Sequence, residues 1–256
     1  MTRMANGGSG SNALIGRFRT ARKSPTLVVL EGLHALKHGR RFGASLLELA
    51  VRDKDSALGL AEDLALDLVH ILREHGQTVG TAIFEQLAPQ AHETGVIAIA
   101  QRPKTTVDVP RNRRRPLVLL EDPQHLGNLG AVVRTAAAAD AAGVVTIGGP
   151  DPWHPVAVRT AAGLHFALPV CRLTEPVDHD QLSPLIAVDT RGEPFSDLDL
   201  PRNAVLAFGS ERRGLSPGLL ARAERCVSIP MRDGISSLNL ATSVAALLYA
   251  GRFRAL

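Results

Sequence analysis

Arg134 is the only charged residue in Asn128-Leu-Gly-Ala-Val-Val-Arg-Thr-Ala-Ala-Ala-Ala. An alanine-rich helix packs closely, and a stray charge there is costly. Arg134 therefore reads either as a solvent-facing residue or as one kept for chemistry. Its guanidinium stays protonated, which makes it a poor base and a good stabiliser of negative charge. Glu211 is a second residue of this kind, set between a strand end and an Arg-Arg-Gly turn. If covered, such a carboxylate needs a partner, and Arg134 is a candidate. Asn128, Ser237 and Asn239 are polar residues at expected helix starts, where capping and ligand contact are both open readings. Gly209 follows a strand directly and, lacking Cβ, lets a ligand approach the backbone.

These residues sit in loops that follow strands. Pro116-Leu-Val-Leu-Leu-Glu-Asp predicts a buried strand, Pro-Gln-His-Leu-Gly-Asn-Leu-Gly a loop, and Ala131 onward a helix ended by Gly143, with Asn128 as a cap for a helix from Leu129 or Gly130. Ala204-Val-Leu-Ala-Phe predicts a second strand, followed by Gly209-Ser-Glu-Arg-Arg-Gly-Leu and a helix opened by Ser216-Pro217. Cys226-Val-Ser-Ile is the third, followed by a polar loop and an apolar helix capped by serine. In open α/β sheets ligands bind at the carboxyl ends of strands, and a helix start beside a strand end offers unpaired backbone N–H groups.

Taken in order, Asn128-Leu-Gly-Ala-Val-Val-Arg-Thr-Ala, Gly209-Ser-Glu-Arg-Arg-Gly-Leu, and Ile229-Pro-Met with Ser237-Leu-Asn-Leu resemble the three motifs of the SpoU (TrmH-like) RNA ribose 2′-O-methyltransferases, a branch of the SPOUT superfamily. Asp151-Pro-Trp-His-Pro-Val-Ala-Val-Arg-Thr-Ala-Ala-Gly is similar to that family's linking segment. The resemblance implies methyl transfer from S-adenosylmethionine to a ribose 2′-hydroxyl in structured RNA, with ribosomal RNA placed ahead of transfer RNA. It makes Arg134, Asn128, Glu211 and Asn239 the catalytic candidates. It sets Gly209, Ile229, Met231, Ser237 and Leu238 around the cofactor, although Ile229 and Leu238 read equally as core residues and Met231 as a packing residue at the pocket wall. It also implies a trefoil knot and a homodimer, for which the apolar face of Ala241 to Tyr249 is a candidate surface. Arg212 departs from the pattern, where glycine is usual, and either alters the loop or adds a phosphate contact.

The first half alternates strands and helices over about residues 25–102, with an amphipathic helix expected from Ala57 to His75, a strand at Gln77-Thr-Val-Gly and helical turns from Glu85 to Glu93. It resembles the L30e-like substrate-binding domain of many SpoU proteins. Residues 1–24 are expected to be a flexible basic segment, 103–116 a linker and 117–256 the SPOUT methyltransferase domain. The fold class expected is α/β, a parallel sheet preceded by a small α/β domain.

Three basic clusters lie in the first half: Arg17, Arg19, Arg22 and Lys23; Lys37, His38, Arg40 and Arg41; and Arg111, Arg113, Arg114 and Arg115. Each alone reads as a solvated loop. Together they point to a polyanion, and Arg17, Arg19, Arg22, Lys23, Arg113 and Arg114 are the RNA-binding candidates. With only 4% aromatic residues, phosphate and shape recognition are favoured over base stacking. Cys171 and Cys226 make no metal spacing, no apolar run suggests a membrane span, and the N-terminus lacks a signal core, so a metal-free cytoplasmic protein is expected. Asp178-His-Asp reads as a solvated loop, and His34, His125, His154 and His165 have no readable partners. A non-catalytic RNA-binding assembly factor and an antibiotic-resistance rRNA methyltransferase remain as alternatives.

Overall fold

The computed structural model describes residues 7–89, 93–104, 113–173, 182–195 and 201–253. Met1 to Asn6, Arg111, most of the expected linker and Asp178-His-Asp lie outside these residues. The chain divides into two compact units, Met1–Lys104 with Ala162–Phe166, and Thr105–Ala161 with Ala167–Leu256.

In the first unit the elements are α1 (Gly7–Ala21), β1 (Leu27–Glu31), α2 (Leu33–Arg41), β2 (Leu46–Val51), α3 (Lys54–Leu64), α4 (Val69–His75), β3 (Gln77–Thr78), α5 (Thr81–Leu87) and β4 (Val96–Gln101). The sheet order is β1-β4-β2-β3, with β4 antiparallel to both neighbours and β2 parallel to β3. The expected flexible N-terminal segment is instead helical from Gly7. Leu14, Ile15, Phe18 and Ala21 recur at helical spacing and are buried against Val29, Ala50, Phe84, Leu87 and Ile97. That apolar stripe outweighs the glycine and serine content that suggested flexibility. The single helix expected from Ala57 to His75 is two, broken at Ala65, which leaves helical dihedrals at φ −161° and ψ 61° and turns Ala65 and Leu68 into the core. Asp53 caps α3 by accepting from Ser56 N at 2.7 Å.

The second unit runs β5 (Leu117–Glu121), α6 (Leu126–Ala138), β6 (Gly143–Ile147), α7 (Pro155–Thr160), β7 (Val170–Leu173), β8 (Leu185–Pro194), β9 (Val205–Phe208), α8 (Pro217–Arg222), β10 (Arg225–Ser228) and α9 (Leu240–Phe253). All five strand pairings of the sheet β10-β8-β9-β5-β6-β7 are parallel. Successive residues of β5 serve opposite faces, with Leu117 and Leu119 in one core cluster and Val118 and Leu120 equally buried, so the sheet is covered on both sides. The chain leaves β5 outward to β6 and β7, then returns to build β8, β9 and β10 on β5's other side. Strand order thus reverses at β5, the place where open α/β sheets bind ligands.

Two boundaries differ from expectation. α6 starts at Leu126, three residues before the earliest expected start, so Asn128 lies inside it and is not its cap. Gly143 does not end α6 but opens β6, where a Cβ would press on the Pro169 carbonyl at 2.8 Å. Gly130 is needed for α6 to lie against α7, since a Cβ there would overlap the Ala157 carbonyl.

Candidate active site

The loop after β9 closes on itself. Ser210 N donates to Gly214 O at 3.1 Å, Gly214 N donates to Ser210 O at 3.0 Å, and Arg213 N donates to Ser210 Oγ at 3.3 Å. Gly214 adopts φ +67° to complete the turn. Gly209 is required for a reason other than ligand approach: a Cβ there would fall on the Gly214–Leu215 peptide. The chain then enters α8, where Ser216 Oγ accepts from Leu219 N as the expected cap. Ser216 also donates through N and Oγ to the two carboxylate oxygens of Glu121, at 2.7 and 2.6 Å, fixing this loop to the end of β5. Glu121 escaped notice in the sequence because it stands in the β5 run as an ordinary strand-end residue.

A chain of side chains joins three loops. Asn128 Nδ2 donates to Glu211 Oε1 at 2.8 Å, and Gln124 N donates to Glu211 Oε2 at 3.1 Å. Asn239 Nδ2 donates to Asn128 Oδ1 at 3.0 Å. Asn239 Oδ1 accepts from Ala241 N at 2.9 Å and Thr242 N at 3.4 Å, so asparagine rather than serine caps α9. Loops after β5, β9 and β10 are therefore held by Glu211, Asn128 and Asn239. Burial pushes the Glu211 carboxyl up, but donation from Asn128 Nδ2 and from the Glu211 and Gln124 amides, with His125 nearby, outweighs it and leaves the group below its ordinary value.

The expected pairing of Glu211 with Arg134 is not formed. Arg134 lies exposed on α6, is not among the residues lining the cleft described below, and its side chain makes no hydrogen bond or ion pair among the described residues. Both Glu211 oxygens are taken by nearer donors.

A cleft of about 710 Å³ opens at the carboxyl ends of β9 and β10, beside the middle of β8. Val188 to Arg191, Phe208 to Gly214, Ile229, Met231 and Ser236 to Leu240 line it, with Ser243. The five cofactor candidates, Gly209, Ile229, Met231, Ser237 and Leu238, all fall in that lining, as do Glu211 and Asn239. Leu238 is 41% exposed, which settles it as cleft wall rather than core. Asn128 is not part of the lining and reaches it through its two neighbours.

The stretch Val188 to Arg191 was missed. β8 pairs Ala187 with Cys226 and Glu193 with Val227, so the residues between bulge away from β10 and into the cleft. Gly192 makes the return possible, since a Cβ there would overlap the Val227 backbone, and Ser228 Oγ donates to Gly192 O at 2.8 Å. Leu-Ile-Ala-Val-Asp-Thr-Arg-Gly repeats the strand-then-glycine pattern of the other loops, which was the available signal.

The structure separates the RNA-binding candidates. Arg22 is held inward, donating to Leu87 O at 2.5 Å and pairing at 2.6 Å with Glu31, whose side chain is 3% exposed. Arg113 is buried and donates to Ser183 O at 2.7 Å. Neither offers its charge freely to a polyanion, because Arg22 satisfies the covered Glu31 and Arg113 is itself buried. Arg17 pairs with Glu48 at 2.6 Å, while Arg19, Lys23 and Arg114 are exposed. His154 gains a role not foreseen, accepting from Val156 N at the start of α7. Among the described residues no helix is long and apolar enough to cross a membrane.

Residues 115–249, just over half of the chain, match the SpoU rRNA Methylase family. The chain belongs to that family. A tRNA/rRNA methyltransferase of Synechocystis, itself described as uncharacterized, is 30% identical over 95% of this chain and 92% of its own length. The 23S rRNA (uridine(2479)-2′-O)-methyltransferase of Streptomyces viridochromogenes is 32% identical over 60% of this chain and 58% of its own. The crystal structure of the SpoU methyltransferase AviRb from Streptomyces viridochromogenes, in complex with AdoMet, superimposes with a TM-score of 0.80 at 25% identity, covering 95% of this chain and 98% of that one. As a SpoU protein the chain is an RNA methyltransferase.

The cleft suits the family's cofactor. Its volume is that of a small-molecule site, and Phe208, Val188, Ile229 and Leu238 give it apolar walls. The backbone amides of Ser236, Ser237 and Leu238 donate to no other group among the described residues, leaving donors for a ligand.

Proposed function

We propose that this protein transfers the methyl group of S-adenosylmethionine to a ribose 2′-hydroxyl of ribosomal RNA, and that the Glu211–Asn128–Asn239 chain carries the site. Without that chain, the loop after β9 and the start of α9 would have no polar tie to α6. S-adenosylmethionine supplies an electrophilic methyl on a positively charged sulfur. Gly209, Ile229, Met231, Ser237 and Leu238 hold it, mainly through main-chain groups and apolar contact. Glu211, Asn128 and Asn239 position the loops so that the ribose oxygen meets the methyl in line. Arg134 lies outside the cleft lining, exposed and with no side-chain partner among the described residues; in this reading it acts from the second subunit of the homodimer, gripping the adjacent phosphate and stabilising the charge that builds on the 2′-oxygen.

The first unit is read as the RNA-recruiting domain, of L30e type. The names of relatives from Streptomyces and Bacillus as 23S rRNA 2′-O-methyltransferases support ribosomal RNA over transfer RNA. A homodimer, with the outer face of α9 contributing, a trefoil knot in the second unit and action in the cytoplasm complete the reading.

The test is transfer of labelled methyl from S-adenosylmethionine to unmodified rRNA transcripts, followed by mapping of ribose methylation. The wild type should label one ribose. Arg134→Ala should lose transfer by about a hundredfold, the scale of one lost charge-stabilising group, while calorimetry shows cofactor affinity nearly intact. Failure of the wild type to bind cofactor overturns the reading, and near-normal turnover of Arg134→Ala overturns the role given to that residue.

A further inference from the structure

Three arginines, Arg191, Arg212 and Arg213, line the cleft together with two carboxylates, Asp189 and Glu211. The two acids are already engaged. Asp189 Oδ1 accepts from Arg191 N at 3.0 Å and from Arg191 Nε at 2.8 Å, and Asp189 Oδ2 accepts from Arg191 Nη2 at 3.1 Å. Glu211 turns both oxygens to Asn128 and Gln124. Arg212 and Arg213 are left exposed, and their guanidinium groups have no partner among the described residues. The backbone that carries them is nonetheless fixed, because the Ser210–Gly214 hydrogen bonds close the turn on either side.

S-adenosylmethionine does not account for this surplus of positive charge. The cofactor has a sulfonium, an ammonium and a single carboxylate, so it is itself a net cation. Two unpaired arginines beside such a ligand weaken its binding unless they face something else. A polyanion that must lie across the same opening is the complementary ligand, and the guanidinium fork matches a phosphodiester.

Resting on the rRNA methyltransferase reading, we propose that Arg212 and Arg213 form a phosphate clamp at the mouth of the cleft, holding the RNA backbone next to the ribose that is methylated. The clamp belongs to RNA binding and not to cofactor binding. It sets the register of the strand at the site, since it is built on the same turn as Glu211.

The test measures affinity for an unmodified 23S rRNA transcript across a salt series, using full-length Arg212→Ala, Arg213→Ala, the double variant and Arg212→Lys, with calorimetry of S-adenosylmethionine on each. Both positions are exposed, so circular dichroism should match the wild type. Each alanine variant should weaken RNA binding by about tenfold and lower the slope of log affinity against log salt by about one, and the double variant by about two. Arg212→Lys should keep the slope, and cofactor affinity should stay within twofold throughout. Unchanged RNA affinity and slope would overturn the clamp. So would a loss of cofactor affinity matching the loss for RNA, which would assign these arginines to the cofactor carboxylate. The comparison needs no turnover, so a wild type that fails to methylate sinks the activity and not this assignment.

Discussion

Glu211 turns one oxygen to the Asn128 side-chain amide and the other to the Gln124 backbone amide. A glutamine at this position has one carbonyl oxygen, so one of those donors would face an NH2 group. Glu211→Gln should therefore loosen the loop after β9 even though shape is conserved, costing about 1 kcal/mol of stability and about tenfold in methyl transfer. The acid dependence has a definite sign. The folded-state carboxyl lies below its ordinary value, so its contribution is complete above the ordinary carboxylate range, near ~4, and is lost as pH falls through the lowered value. Thermal unfolding of wild type and Glu211→Gln from pH 7 to pH 3 should show the wild-type advantage shrinking on acidification. An advantage that persisted at pH 3 would mean the carboxylate charge is not what the two amides recognise. At this scale the sequence singled out three residues that the fold joins, but paired Glu211 with the wrong partner. Residue type marked Asn128, Glu211 and Asn239 as special. Partner choice depends on where α6 begins, and an early start at Leu126 placed Asn128, not Arg134, against Glu211.

The strands and loops that carry the site differ in how openly the chain announces them. β5 and β9 are continuous apolar runs followed by polar loops, the pattern of strands buried on both faces. The wall made by Val188 to Arg191 arises from a register jump between β8 and β10, and pairing between strands distant in sequence leaves no local mark. α1 was hidden differently, by a composition of glycine, serine and arginine around a stripe of four buried apolar residues. Glycine is informative at this scale only where backbone meets backbone. At Gly209 an alanine Cβ would occupy the Gly214–Leu215 peptide, so Gly209→Ala must open the turn. The expected cost is about 1–3 kcal/mol, with cofactor affinity weakened by more than tenfold because Gly209 and Gly214 both line the cleft. Gly218→Ala, whose Cβ would meet nothing nearer than Ser216 Oγ at 3.9 Å, is the control and should bind as the wild type. Equal calorimetric affinities for the two variants would show that turn closure does not shape the cleft.

At the scale of the whole chain, charge was the least reliable guide. A basic cluster reads the same in sequence whether its members are free, paired at the surface or held inward. Here Arg22 meets the covered Glu31, Arg41 and Arg115 make exposed pairs with Asp67 and Asp140, and Arg113 is buried against Ser183. The free cations that matter to the cleft, Arg212 and Arg213, lie in the second half, outside every cluster. Fold class was easier to read, because each unit has its own apolar core and the alternation of strand and helix shows in the hydrophobic pattern. This division has a measurable consequence. A ligand that binds only the folded cleft suppresses those local openings that expose it, by an amount set by its concentration relative to its dissociation constant. Hydrogen exchange with and without S-adenosylmethionine should slow at Val188 to Arg191, at Gly209 to Gly214 and from Ile229 to Ser243, the three segments that line the cleft. Asn128 and the first turn of α6 should slow with them through the Asn239 and Glu211 bonds, although they line no part of it. The amides of β1, β2 and β4, in the other unit, should exchange as before. Protection confined to the first unit, or absent from the bulge of β8, would move the cofactor elsewhere and dissolve the site.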